Sequence, residues 1–220
     1  MTARPLCNRV DPFGELSATP ARGALMGNRG GRFHRDDQSL GRRRWVSRQW
    51  IACVCEFKNR RREVWGRSYT ELFFLDEPTA LAAGHRPCFE CRRADAEAFR
   101  RAFDRKAPPS APEMDAALHA ERLSGRRKRI HIAAIVDLPD GAMIERDGAA
   151  FAVRGDRLAP WSFRGYGAPV ERPRRGSVNL LTPPSIVAAL SAGYQPRWAA
   201  AAERLDAFNS LSPNPEEFAE

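Results

Sequence analysis

The chain has 220 residues, 43% of them hydrophobic and 29% charged, and 36 Lys+Arg against 27 Asp+Glu give a formal net charge of +9. This is a globular composition, long enough for one sizeable core or two small ones. No run of about 18 apolar residues exists, which excludes a membrane-spanning helix, and the N-terminus lacks the apolar stretch of a secretory signal, so a cytoplasmic location is expected. The positive excess is local: residues 1–70 hold 15 Lys+Arg and 6 Asp+Glu, whereas residues 71–220 hold 21 of each. A one-sided basic field points to a polyphosphate partner, nucleic acid and DNA first, against the plainer reading of a solvated Arg-rich surface.

Residues 1–25 mix Pro, Gly, Thr and Arg without period and are expected to be a disordered extension. Residues 26–44, MGNRGGRFHRDDQSLGRRR, look like an arm or loop that gains order on its ligand. WVSRQWIACVCEF (45–57) alternates partially and reads as a strand, KNRRR (58–62) as a basic turn, and REVWG and YTELFFL as two further strands. At DEPTALAAG the period changes: Asp76 can cap a helix, Pro78 suits its first turn and Gly84 ends it. ADAEAFRRAFDR (94–105) is a second helix, with Phe99 and Phe103 on its buried face. KAPPSAPE (106–113) carries three prolines in eight residues and reads as a linker. MDAALHAERL is a short helix, the stretch to about residue 180 has a β pattern broken by PDG, RDG and RGD turns, and TPPSIVAALSAG is another capped helix. WAAAAERLDAF makes a last one, and residues 209–220 are a tail. The expected fold is α+β: a small sheet-and-helix domain (26–105), the linker, and a β-rich domain closed by helices (114–208) of unassigned role.

Five cysteines occur, at positions 7, 53, 55, 88 and 91. In a reducing compartment, clustered thiols more often bind metal than pair. Cys88-Phe89-Glu90-Cys91 lets two sulfurs point at one ion about 2.3 Å away, and a helix followed by an HRP turn precedes it, unlike a thioredoxin-type pair. The opposing ligands are expected from Cys53 and Cys55, which share a strand face. If only one of these binds, His85 or His34 would complete a Zn2+ site.

From Cys53 to Arg93 the chain resembles the N-terminal metal-binding domain of the Ada family of alkylation-response proteins. The likeness rests on Ile51-Ala52-Cys53, the strand Tyr69–Leu75, and Ala80-Leu81-Ala82-Ala83-Gly84-His85-Arg86-Pro87-Cys88-Phe89-Glu90-Cys91-Arg92. The resemblance implies direct repair of DNA methyl phosphotriesters by a suicidal methyltransferase, with a zinc-bound thiolate, here Cys53, accepting the methyl group. One departure bears on the site: the family's first pair is spaced C-x3-C, which would put the second thiol at Phe57, so Cys55 would have to substitute. A helix-turn-helix activator and an alkylguanine transferase module are not recognisable.

Arg42, Arg43, Arg44 and Arg48 precede the first cysteine pair, and Lys58, Arg60, Arg61 and Arg62 follow it. Such residues suit sequence-tolerant phosphate contact. Trp45 and Trp50 are candidates to stack unpaired bases, or else core residues of a small sheet. Arg29 and Arg32 are candidates to enter a groove, Arg126–Arg129 form a second basic cluster, and APWSFRGYG (159–167) is an aromatic-rich surface or a hydrophobic corner. Ordinary hydrolase signatures, HExxH and a Walker loop among them, are absent. The function expected is thus zinc-dependent nucleic-acid binding linked to DNA repair. Its rival is a non-catalytic zinc module whose C-terminal domain binds a protein partner.

Overall fold

A computed structural model describes residues 4–60 and 63–199. The first sheet holds β1 (Cys7–Val10), β2 (Leu16–Ala18), β3 (Leu25–Arg29), β4 (Trp50–Val54), β5 (Leu72–Phe74) and β6 (Arg86–Pro87), in the order β2-β1-β5-β3-β4-β6. It is mixed, with β1 parallel to β5, β6 parallel to β4, and the other pairs antiparallel. Its two faces differ. Val10, Leu25, Ala52, Leu72 and Phe74 bury one face against Ala80 and Ala83 of α1 (Glu77–Ala82) and its C-terminal turn. Met26, Cys53 and Phe73 lie in one register row on the other face, with Ile51 beside them.

Three expectations fail here. The N-terminal segment belongs to the sheet: β1 and β2 lie within residues 1–25, and Val10 is fully buried. The supposed arm begins with β3, whose five residues are all buried between β5 and β4. Gly27 explains the disguise, because a Cβ there would lie 2.2 Å from the Ile51 carbonyl oxygen and 2.8 Å from the Phe74 ring. Of the expected strand REVWG, the described residues 63–66 form a turn. Trp65 has φ +60°, and its indole N–H donates to the Glu71 carbonyl at 2.9 Å.

Helix α1 is built as its sequence reads: Asp76 accepts from the Thr79 N–H at 3.1 Å, and Gly84 closes the end at φ +83°. It is followed by α2 (Arg93–Phe103) and α3 (Ala111–Arg122). The hairpin β7 (Leu123–Ser124) and β8 (Arg127–Lys128) comes next. The second sheet is antiparallel: β9 (His131–Ala134), β10 (Met143–Arg146), β11 (Ala149–Arg154), β12 (Arg157–Ser162), β13 (Gly165–Tyr166), β14 (Val170–Glu171) and β15 (Ser177–Leu180). Its order is β13-β12-β11-β10-β15-β9, with β14 also on β12, and α4 (Pro184–Ser191) follows. The last expected helix and the tail lie outside the described residues.

The architecture is α+β, but the Pro-rich segment does not divide the chain into separate cores. One buried cluster joins Leu81 of α1 and Phe99 of α2 to Met114 and Leu118 of α3, Ile144, Val153 and Leu158 of the second sheet, and Ile186 and Tyr194. Ser110, at the end of that segment, starts α3, with its N–H donating to Glu113 Oε2 at 2.7 Å.

Candidate metal centre

Strand β4 puts Cys53 on the open face of the first sheet, and β6 delivers the knuckle to the same place. Ile51 pairs with Arg86 and Ala52 with Pro87, and the Cys88 N–H donates to the Ala52 carbonyl at 3.0 Å. The sulfurs of Cys53, Cys88 and Cys91 come within 4.8 Å of one another. A tetrahedral ion with sulfurs at about 2.3 Å needs them roughly 3.8 Å apart. The donor set therefore fits a thiophilic metal ion, its chemistry being that of a tetrahedral thiolate site. In the knuckle, the Glu90 N–H points at the Cys88 sulfur at 3.4 Å, an amide contact that favours thiolate. Cys53 and Cys88 are buried, and Cys91 is half-buried.

The three thiols are electrostatically frustrated without a cation. Hydrogen bonds from Cys53 and Cys91 pull Cys88 down to about 2. Cys53 is driven far up, first by its hydrogen bonds to Cys88 and Cys91 and then by burial. At Cys91 the Cys53 hydrogen bond lowers the value, but the bond to Cys88 and burial outweigh it, and the thiol is raised. Burial and their mutual hydrogen bonds thus oppose joint ionisation of the three thiols, and a bound cation would favour it.

The sulfurs open on a cavity of about 150 Å³ lined also by Asn28, Tyr69, Glu90 and Arg60. Arg60 pairs with Glu90 at 2.7 Å across its rim, and both side chains are substantially exposed, so the pair contributes little stability. Asn28, Tyr69 and Glu90 are not among the residues that the sequence assigns to the site. Strand alternation from Met26 would have found Asn28, had β3 been recognised.

The fourth ligand is where the expectation changes. Cys55 lines the same cavity, but its sulfur lies outside the three-thiol group and faces the Ala24 carbonyl at 3.5 Å. The cause is where the strand stops: β4 ends at Val54 and the chain bends at Cys55, which therefore does not continue the Cys53 face towards the knuckle. Neither histidine substitutes. His85 is fully buried on the other face of the sheet, between the rings of Phe74 and Trp50 at 4.6 and 5.1 Å. His34 stacks on Trp65 and bonds Thr70 Oγ1 at 2.8 Å and the Gly66 carbonyl at 2.9 Å.

No protein-family model, curated protein or solved structure matches this chain.

The basic residues divide between the two faces. Lys58 and Arg60 sit by the thiol cavity, with their charged ends 5.1 and 5.5 Å from the Phe57 ring centre; Arg61 and Arg62 lie outside the described residues. Arg42, Arg43 and Arg48 are exposed elsewhere, and the second basic cluster joins them: Arg126 donates to the Arg42 carbonyl at 2.5 Å and Arg122 to the Arg48 carbonyl at 2.7 Å. Segments far apart in the chain thereby form one cationic surface, which also takes in Arg44. Trp50 is no base platform, being 2% exposed and covered by guanidinium groups on its ring. Trp45 is half-buried against it. Arg29 is buried rather than free to enter a groove, whereas Arg32 is partly exposed and pairs with Asp36. The aromatic run near residue 160 is a hydrophobic corner, with Trp161 donating to Thr79 Oγ1 and Tyr166 to Asp76 Oδ2, both at 2.9 Å.

Proposed function

We propose that this chain binds nucleic acid through its cationic surface and holds one zinc ion on Cys53, Cys88 and Cys91, with Cys53 as acceptor of a methyl group from a backbone phosphotriester. The observation that carries the reading is the convergence of three thiols, from two separate segments, on one cavity with Arg60 at its rim. Zinc held there keeps the sulfurs deprotonated at neutral pH. Arg60 and Lys58 would hold the phosphate, and the Cys53 sulfur would attack the methyl carbon. The carbon–oxygen bond breaks, a thioether forms, and the phosphodiester leaves as an anion. Cys53, Cys88 and Cys91 would hold the ion with three protein thiols, one fewer than a closed four-ligand structural site, as reactive sites do.

Elemental analysis of freshly reduced protein tests the centre. About one zinc per chain is expected, retained in Cys55→Ser and lost in Cys88→Ser. A methyl phosphotriester oligonucleotide tests the transfer, and one added methyl on the Cys53 peptide is expected. A methyl on Cys91, the more exposed thiol, would reassign the acceptor. An unmodified centre that still holds zinc would leave the non-catalytic module, a reading favoured by the burial of Cys53 and Cys88 at 7% and 6% exposed.

A further inference from the structure

The other face of the first sheet hides an unusual concentration of positive charge. Side chains alternate along strands, so Arg29 of β3 and Trp50 of β4 point away from Cys53. Arg29 is 2% exposed and Arg122 is 1% exposed, and their guanidinium carbons lie 4.1 and 3.9 Å from the Trp50 ring centre. Lys128 reaches the same place from the β7–β8 hairpin, its ammonium donating to the Ala82 carbonyl. These three groups line a cleft with Arg44 and Arg126. Among the described residues, none of the five cations forms an ion pair with a carboxylate.

Their existing partners are dipoles, which orient the cations without neutralising them. Arg29 donates to the Gly14 carbonyl at 2.7 Å and to His85 Nε2 at 3.4 Å. Arg122 donates to the carbonyls of Gly84 and Arg48 at 2.8 and 2.7 Å, and its Nε is buried with no partner. One carboxylate, Glu15, lines the cleft, and it is exposed; Asp11 stands behind Arg29 and is itself raised to about 6, chiefly by burial. A buried, uncompensated cation costs several kcal/mol. Two buried guanidinium groups and the half-buried ammonium of Lys128 round one cleft make sense if a mobile anion completes the set. The electrostatic strain is visible in the cations themselves: Lys128 is held down to about 7 and Arg29 and Arg122 to about 9, by burial first.

We propose that this cleft is a binding site for a phosphate-type oxyanion, gripped from within by Arg29, Arg122 and Lys128 and at its mouth by Arg44 and Arg126. The cleft measures about 30 Å³, more than the roughly 10–15 Å³ that one water requires. A whole nucleotide does not fit within it, so the group that enters would be a small anionic head. The exposed arginines at 42, 43 and 48 adjoin the mouth, so the phosphate is either a free or small-molecule phosphate or the terminal phosphate of a strand lying on that surface. The inference needs neither the metal nor the methyl transfer, since the thiols are on the opposite face.

Thermal unfolding of the full chain tests it. Millimolar inorganic phosphate should raise the midpoint by several degrees relative to sodium chloride of equal ionic strength, and Lys128→Met should abolish the rise. No rise in the wild type would overturn the site, and so would a rise undiminished in Lys128→Met, since the anion would then bind elsewhere. Should Lys128→Met fail to fold, Arg126→Ala, an exposed change, should reduce the rise, and an unchanged rise there overturns the proposal equally. Cys53→Ser should keep the full phosphate response, which separates this site from the metal centre. Tighter binding of a short oligonucleotide bearing a 5′-phosphate than of its 5′-hydroxyl twin would assign the site to strand ends. Equal binding, with the inorganic phosphate response intact, would assign it to free phosphate or small esters.

Discussion

Lys128 is the residue in which burial and charge conflict most directly. Its amine titrates near 7 in the fold, displaced by burial and then by Arg29 and Arg122, against 10.5 for the free side chain. Below about pH 7 both folded and unfolded chains carry the proton, and the fold bears the cost of holding a half-buried ammonium beside Arg29 and Arg122. Above it the unfolded chain binds a proton that the folded chain lacks, so stability rises with pH, with a slope approaching about 1.4 kcal/mol per pH unit. Urea unfolding between pH 7 and 9 in phosphate-free buffer should show that rise, with Lys128→Met flat over the same window. A wild-type profile as flat as the variant would mean that the amine is solvated in the fold. Added phosphate should flatten the wild-type curve, because a bound dianion lets the ammonium stay charged.

The knuckle depends on one ion pair between elements. Arg86, in β6, donates from Nε and Nη2 to the two carboxylate oxygens of Asp115 in α3, both at 2.8 Å, and its guanidinium carbon lies 5.3 Å from the Phe89 ring centre within the CxxC. With the side chains 2% and 9% exposed, removing one partner strands a buried charge. Asp115→Ala should therefore lower stability by about 3–5 kcal/mol, a midpoint drop on the order of 10 °C, and weaken zinc binding with it. The paired replacement Arg86→Met with Asp115→Leu should recover much of the stability; a double variant as unstable as the single one would show that the pair itself, and not the stranded charge, matters. How far such elements are legible in the sequence follows from how local their causes are. Asp76, Gly84 and the CxxC act within a few residues, and the helix, its end and the knuckle all appear where the sequence puts them. The same grammar recurs at α4, where the Tyr194 N–H returns to the Ala189 carbonyl as the His85 N–H does to that of Ala80, and Gly193 stands at φ +101°. Strands β1 and β3 are not legible, because CNRV and LMGNR are strands only by virtue of their neighbours. The exclusion of Cys55 from the thiol group turns on the bend that ends β4, and the joining of Arg42 to Arg126 on tertiary contact, so neither can be read from spacing.

At the scale of the whole molecule, the shared core decides how the chain unfolds. Leu118 of α3 is fully buried in the cluster that holds Leu81 and Phe99, on the near side of the Pro-rich segment, and Ile144 and Leu158 of the second sheet. The segment around residues 106–110 therefore spans the surface of one cooperative body, and the two sheets should not melt separately. Leu118→Ala should cost about 2–5 kcal/mol through lost burial and a cavity. It should displace a single transition read identically by the tryptophan fluorescence of a Trp161→Phe, Trp198→Phe background, which leaves Trp45, Trp50 and Trp65 in and beside the first sheet as reporters, and by far-ultraviolet circular dichroism, which reports on every element. Metal removal should displace that same transition, because the thiol knuckle leads directly into α2 and Phe99 anchors α2 in the shared core. If fluorescence and dichroism instead gave different midpoints, with Leu118→Ala moving only one, the shared cluster would be a weak interface and the sheets independent units. With a single transition, the burial that joins the sheets also holds the metal knuckle and the cationic cleft in place, so metal loss lowers the common midpoint while the cleft of the folded protein keeps its response to phosphate.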